Sequence, residues 1–276
     1  MAWEAKLTLD YALEAGRVVA RFEHSGPLRI LQSLYPEGDG TCHNVLVHPP
    51  GGLVGGDALR IGITGCEGTH GLVTTPGAGR FYRSDGPEAL QETRVQLEAG
   101  ARFEWLPLET IYFSGCRATN RLHLDLAPGS ECIGWDVAAL GLPASGQPFD
   151  KGGVQQEIAL GDAWLEKGCI EAADARLMDG PLGLAGRRCL ATLFLAAGSD
   201  FGRARREQAL EAAREVLQGH ELAAFAGATS PHPRVIAVRV LAPLVEPAMG
   251  LLRAVRRAWR PALWSLPAHE PRGWAT

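Results

Sequence analysis

The sequence predicts a mainly β fold, with stacked β-sheets forming a β-solenoid-like body, followed by a C-terminal α/β part that carries two helices. Three observations predict it. Short runs of alternating apolar and polar residues fill the first two thirds of the chain, a turn glycine recurs at intervals of about 30 residues, and helical periodicity is confined to the last third.

The alternation is clearest at residues 121–126. There Leu122, Leu124 and Leu126 share one face, and Arg121, His123 and Asp125 the other, so His123 reads as a solvated strand residue. Residues 17–22, 93–97 and 154–158 alternate in the same way, with glycine or proline turns between them. Gly68, Gly100 and Gly129 each sit in a turn between two strands, at spacings of 32 (68 to 100) and 29 (100 to 129), and the last two turns lead to Trp105 and Trp135. Such a repeat predicts strands stacked in successive coils, with consecutive hairpins of a sandwich as the alternative.

The character changes at about residue 198. Residues 203–218 place Ala209, Leu210, Ala213, Val216 and Leu217 at helical spacing, with Asp200 or Ser199 to cap the start and Gly219 to end it. Residues 249–259 repeat the pattern with Leu252, Val255 and Trp259 inward and Pro261 closing the helix, and residues 234–241 between them read as a strand. The expected division is a body over 1–197 and an α+β part over 198–276 packed on it as one structural unit. Arg253, Arg256, Arg257 and Arg260 fall on or near one side of the last helix and read as a solvated basic face.

Composition narrows the function. The 276 residues are 46% hydrophobic and 21% charged, and 27 basic against 31 acidic residues give a net charge of -4, which argues against nucleic acid as a partner. The chain neither opens with a basic region and apolar run nor contains about 18 consecutive apolar residues, so a cytoplasmic protein without a membrane partner is expected. Six cysteines, Cys42, Cys66, Cys116, Cys132, Cys169 and Cys189, stand singly without a C-x-x-C pair and read as small buried apolar residues.

The run from His48 through Pro49, Pro50, Gly51, Gly52, Leu53, Val54, Gly55 and Gly56 to Asp57 invites comparison with phosphate loops, and the comparison fails. It holds no G-x-x-x-x-G-K-[ST] or G-x-G-x-x-G, and a strand follows it in place of a helix. The prolines fix an extended approach, the glycines permit positive φ or close backbone contact, and Asp57 is placed to accept from loop amides. No G-x-S-x-G elbow is present, and Pro107 separates Glu104 from Glu109, so no catalytic residue is assigned. Cys42, His43, His48 and Asp57 supply donors that suit a late divalent metal, but at a spacing that matches no closed structural site.

Taken together these stretches resemble the urease accessory UreD (UreH) family along most of the chain. The resemblance is carried in order by Gly26-Pro27-Leu28, Tyr35-Pro36-Glu37-Gly38, Cys42-His43 and the run from His48 to Asp57. Then come Thr74-Thr75-Pro76-Gly77-Ala78, Phe81-Tyr82-Arg83-Ser84, and Glu104-Trp105-Leu106-Pro107 with Glu109 and Ile111. Leu140-Gly141, Gly146, Phe149, Arg260-Pro261, Pro271-Arg272 and Trp274 complete it. The departures are Arg80 for the family's usual lysine, Leu108 and Leu142 where glutamine and arginine are common, Gln147 for a frequent glutamate, and Gly273 for a bulky apolar residue.

The resemblance implies a scaffold without catalysis of its own. It would bind UreF and, through UreF, the GTPase UreG, and dock on apo-urease so that nickel reaches the active site. No tightly bound cofactor is implied, only nickel in transit through an internal path. A path must release its cargo, so scattered single donors suit it better than a four-ligand cage, and His48, Asp57, Glu104 and Glu109 are the candidates. Two alternatives stand beside this: a metal-dependent hydrolase using Cys42, His43, His48 and Asp57, and a β-rich binding module whose groove is lined by Trp105 and Trp135, two residues that are otherwise core.

Overall fold

A computed structural model describes residues 2–274. One sheet has seven strands in the order β15-β14-β11-β8-β5-β1-β2, where β1 is Glu4–Glu14, β2 Arg17–Ser25, β5 Ala58–Gly65, β8 Ala89–Leu97, β11 Cys116–Leu126, β14 Gly152–Leu160 and β15 Trp164–Glu171. The second runs β17-β18-β16-β12-β9-β6-β4-β3: β3 is Arg29–Leu34, β4 Cys42–Val47, β6 His70–Thr74, β9 Arg102–Leu106, β12 Glu131–Leu142, β16 Cys189–Ala197, β17 Ala226–His232 and β18 Val235–Ala242. Short strands β7 (Gly79–Phe81), β10 (Thr110–Tyr112) and β13 (Gln147–Pro148) attach to the second sheet. The helices are α1 (Ala175–Asp179), α2 (Arg203–Gln218) and α3 (Val245–Trp264).

The chain alternates between the sheets, so β4, β6, β9 and β12 lie parallel in one and β5, β8, β11 and β14 parallel in the other. This is the solenoid-like stacking the glycine period predicts. Arg60 pairs with Glu92 and Glu92 with Arg121, a register that advances by 32 and then 29 residues, as the turn glycines do. Gly68, Gly100 and Gly129 all have φ near +70° to +80°, and a Cβ on Gly129 would lie 3.6 Å from the Gly100 nitrogen, so the turns themselves stack.

Two cores follow from strand alternation. In β9, Phe103 and Trp105 face the core between the sheets, and Glu104 and Leu106 face the helices. Leu252, Val255 and Trp259 of α3 and Ala209, Ala213 and Leu217 of α2 cover that outer face of the second sheet, making a sheet–sheet–helix sandwich. Trp105 and Trp135 are both buried: the Trp135 indole N–H donates to the Pro107 carbonyl at 2.6 Å, and Trp105 borders a void of only about 20 Å³, so the two share no ligand groove.

Several local expectations are corrected. Helix α2 has the predicted bounds, but its N-cap is Gly202 and no side chain caps it, because the Ser199 hydroxyl accepts from the Gly129 amide in the last solenoid turn. Pro261 does not close α3. The helix continues to Trp264 because Leu263 and Trp264 extend the buried stripe past the missing N–H, and it ends at Ser265 with φ 56°. The strand over 226–232 and helix α1, capped by Asp174, add to the expected elements. Of the cysteines, Cys66 is half-buried and Cys169 exposed, and His123 is half-buried against Glu157, its Nε2 2.9 Å from the carboxylate.

The basic face is the largest correction. Arg256 and Arg260 are fully buried, since they share the i, i+4 stripe of Leu252, Val255, Trp259 and Leu263 and meet Glu104 on β9 and Glu37 in the turn before β4. Only Arg257 of the four is exposed.

Candidate functional site

The glycine-rich run forms a platform at one end of the body. Leu53 N–H donates to the Arg80 carbonyl and Tyr82 N–H to the Leu53 carbonyl, each at 2.8 Å, so the loop is zipped to β7 and its continuation. Gly51 and Gly56 have φ of 79° and 86°, whereas Gly52 and Gly55 serve close approach. A Cβ on Gly52 would lie 2.3 Å from the Tyr82 ring and one on Gly55 1.9 Å from Ser84 Oγ. Arg80 keeps the loop contact through Nη1 to the Gly51 carbonyl at 3.3 Å. Pro49, Pro50, Tyr82 and Arg83 stay exposed, Tyr82 packing on Phe113 with ring centroids 4.9 Å apart and Arg83 pairing with Asp85.

Asp57 is buried, and its carboxylate accepts from Val54 N–H at 3.0 Å and Trp3 N–H at 3.2 Å, the amide-binding role its position predicts. His48 packs at 5.2 Å from the Trp3 ring and lines a pocket of about 180 Å³ with Gly51, Arg80 and Pro76. Burial pulls its pKa down, against the pull of Asp57, so the ring is neutral at pH 7. Glu109 lines a larger cleft of about 550 Å³ between the second sheet and α3, together with Leu108, Leu142, Arg253, Gly273 and Trp274.

Glu104 stands apart from both. It is 0% exposed, and its Oε2 accepts from Arg256 Nε at 2.6 Å, while Oε1 accepts from His70 Nε2 at 3.2 Å and faces Arg260 Nε at 3.5 Å. Arg260 Nη2 reaches Glu37 at 2.6 Å, and the other Glu37 oxygen accepts from His43 Nε2 at 2.8 Å. Carboxylates only accept, so both imidazoles carry their proton on Nε2. Two arginines and two glutamates thus form an electroneutral buried cluster that ties α3 to β4, β6 and β9. Burial alone would raise the Glu104 carboxyl, but Arg256, His70 and Arg260 outweigh it and hold the group well below the usual carboxylate range. Glu37 is lowered in the same way, against its burial, by His43 and Arg260.

The four nickel candidates therefore lie in three places: His48 and Asp57 at the loop platform, Glu109 in the cleft, and Glu104 in the helix–sheet layer. Among the described residues no group of three or more His, Cys, Asp or Glu side chains is placed to hold a metal ion. Cys42 faces the inter-sheet core and bonds toward Asn44, while His43 points to the opposite side of β4, so Cys42, His43, His48 and Asp57 do not converge. Burial pushes the Cys116 and Cys189 thiols up to about 12, leaving them protonated and poor ligands at neutral pH. Sequence reading missed the paired roles of Glu37, His43, His70 and the two arginines. The available signal was Glu104 between Phe103 and Trp105 in a strand, and arginines at i, i+4 within an apolar stripe.

Fold and site define a solenoid-like scaffold whose buried charges join a helical layer to a β body, with open clefts at its surface. Residues 4–275 match the family described as UreD urease accessory protein, and the chain belongs to that family. It is similar over its whole length, and over theirs, to proteins named "Urease accessory protein UreD". These include one from Paracidovorax citrulli (strain AAC00-1) at 64% identity, one from Polaromonas naphthalenivorans (strain CJ2) at 62% and one from Variovorax paradoxus (strain S110) at 61%. Membership supports a role in urease maturation, as an accessory protein. Among the described residues no helix is long and apolar enough to cross a membrane.

Proposed function

We propose that this chain is a non-catalytic cytoplasmic scaffold of urease maturation, which binds UreF and through it UreG, docks on apo-urease and assists the passage of nickel. The observation that carries the reading is the match to the UreD family over residues 4–275, with full-length relatives of the same name. Nickel is cargo here, not a resident cofactor. A transit residue must exchange its ligand quickly, and the four candidates differ in what they would have to give up. The neutral imidazole of His48 and the carboxylate of Glu109 border cavities. Asp57 would have to release two backbone amides, and Glu104 its arginine. His48 and Glu109 are accordingly the stronger candidates.

A pull-down of purified, folded chain against UreF tests the scaffold reading. Retention of UreF, and of UreG only when UreF is present, is the expected result. A folded chain that retains neither would sink it, and stoichiometric tight metal with chelator-sensitive hydrolytic turnover would favour the hydrolase reading instead.

A further inference from the structure

Large exposed apolar side chains are unevenly placed. Three of those among the described residues, Leu182 fully exposed, Phe225 at 41% and Leu244 at 39%, gather at one end of the second sheet. There β16 starts with Cys189 opposite Ala242 of β18, and β17 starts with Ala226 opposite Val240, so Arg187, Arg188, Leu244 and Phe225 all lie just past the strand ends. The Arg187 guanidinium carbon stands 3.1 Å over the Phe225 ring. Leu182 projects from the loop that leads into Arg187, and this loop is fixed. Leu184 N–H donates to the Leu177 carbonyl at 2.7 Å and Gly186 N–H to the Met178 carbonyl at 3.0 Å, with Leu184 and Met178 buried. An apolar rim held out to water on fixed backbone marks an interaction surface.

The cleft of about 550 Å³ opens within this rim, since Arg188 and Leu244 line it. Its walls are mostly apolar, and among the described residues Arg253 is the one arginine of α3 without a carboxylate: Arg256, Arg257 and Arg260 pair with Glu104, Glu270 and Glu37. The Arg253 Nε is buried and unpartnered, and burial pulls the group below the ordinary guanidinium value against the pull of Glu270 and Glu109. Glu109 lines the same cleft without pairing with Arg253. An acid and a base held apart across an apolar cleft select complementary charges on whatever enters. The strands that line the cleft are paired on both sides, Ile111 with Arg80 and Ala139, Ala139 with Ile111 and Cys189, and Cys189 with Ala139 and Ala242. No strand can add there, so recognition falls to side chains, as when a groove takes a helix.

We propose that this end of the second sheet, cleft and rim together, docks an amphipathic helix of a protein partner, its apolar side chains filling the cleft, an acid of the helix meeting Arg253 and a base meeting Glu109. This rests on the scaffold reading and gives it a surface and a partner chemistry.

The test uses the full-length chain, with purified UreF and purified apo-urease as separate probes in biolayer interferometry. The parent chain should bind at least one of them. Leu182→Asp and Leu244→Asp put a charge at exposed rim positions and should each weaken that binding at least about tenfold. Arg253→Gln should weaken it about tenfold and flatten its dependence on salt between about 50 and 300 mM. Leu165→Asp, at a position 62% exposed on β15 of the other sheet, should leave it unchanged. A photoreactive p-benzoylphenylalanine placed at Leu244 should cross-link to a segment of the bound probe with apolar residues at helical spacing and an acid and a base beside them. A parent chain that binds neither probe contradicts the scaffold reading and this inference with it. Binding that survives Leu182→Asp, Leu244→Asp and Arg253→Gln unchanged overturns this inference alone, as does equal loss in Leu165→Asp, or a cross-link to a wholly polar segment or to a second copy of the chain.

Discussion

Glu104→Gln, Arg256→Met and the double variant form a cycle that measures how much the buried cluster holds the helical layer to the sheet. Both side chains are at most 1% exposed and share a 2.6 Å charge-assisted bond. Removing one partner of such a pair leaves the other charged and desolvated, at a cost of about 3–5 kcal/mol. Arg256→Met also removes one of the two arginine donors to the His269 carbonyl, Arg260 Nη1 keeping the other at 3.2 Å, which adds about 0.5–1 kcal/mol. Against a total stability of about 5–15 kcal/mol, either loss is large. In the double variant neither charge is stranded, so the two costs should fall short of additivity by at least about 2 kcal/mol. Equilibrium urea unfolding followed by tryptophan fluorescence at pH 7.5 supplies all four free energies. Single costs below about 1 kcal/mol, adding without coupling, would refute the assigned role of the pair. The sign with pH is also fixed. Glu104 and Glu37 are lowered in the fold, so their stabilisation is fully present above the unfolded glutamate pKa of about 4.3 and is lost as pH falls through the folded values; Glu104→Gln should flatten that acid limb.

Three further outcomes follow from named contacts. Asp57→Ala strips the acceptor from two backbone amides of the platform, and should cost about 3 kcal/mol and lower Tm by about 6–12 °C, read by calorimetry. Gly55→Ala forces a Cβ to within 2.7 Å of the Pro87 carbonyl as well as onto Ser84, and should cost about 1–3 kcal/mol and expose the platform to limited proteolysis. Asp136, which accepts from Asn120 and Gln156, is pushed up to about 6 by burial and by Glu166. The native state therefore holds its proton to higher pH than the unfolded chain, and the group costs stability as pH rises through about 4 to 6. Asp136→Asn should gain on the parent by on the order of 2 kcal/mol between pH 4 and pH 7, measured by parallel urea titrations.

The stacked body was legible because its signal is local and repeated: a strand period of two and turn glycines whose spacing equals the register advance. Helix α2 was legible for the same reason, its stripe uninterrupted between two glycines. The misreadings have physical causes. Arg256 and Arg260 continue the stripe of Trp259 and Leu263, but an arginine in sequence reads as a solvated charge, and the partners that bury these two lie 152 and 223 residues away, beyond any sequence period. Strand β17 carries Pro231 and small polar residues and pairs on one side only, so packing rather than propensity makes it a strand. Of the nickel candidates, Asp57 disclosed its amide-binding role through the loop chemistry around it. The arginine partners of Glu104 could be found only in three dimensions.

Whether this chain enables nickel to enter urease, as proposed, is measured directly by one co-expression. Apo-urease subunits produced with the other accessory proteins, with and without this chain, are purified and assayed for nickel per active site and for urea hydrolysis. The scaffold reading predicts urease close to nickel-free and inactive without the chain, with both restored when it is present. Urease equally loaded and equally active in its absence would contradict it.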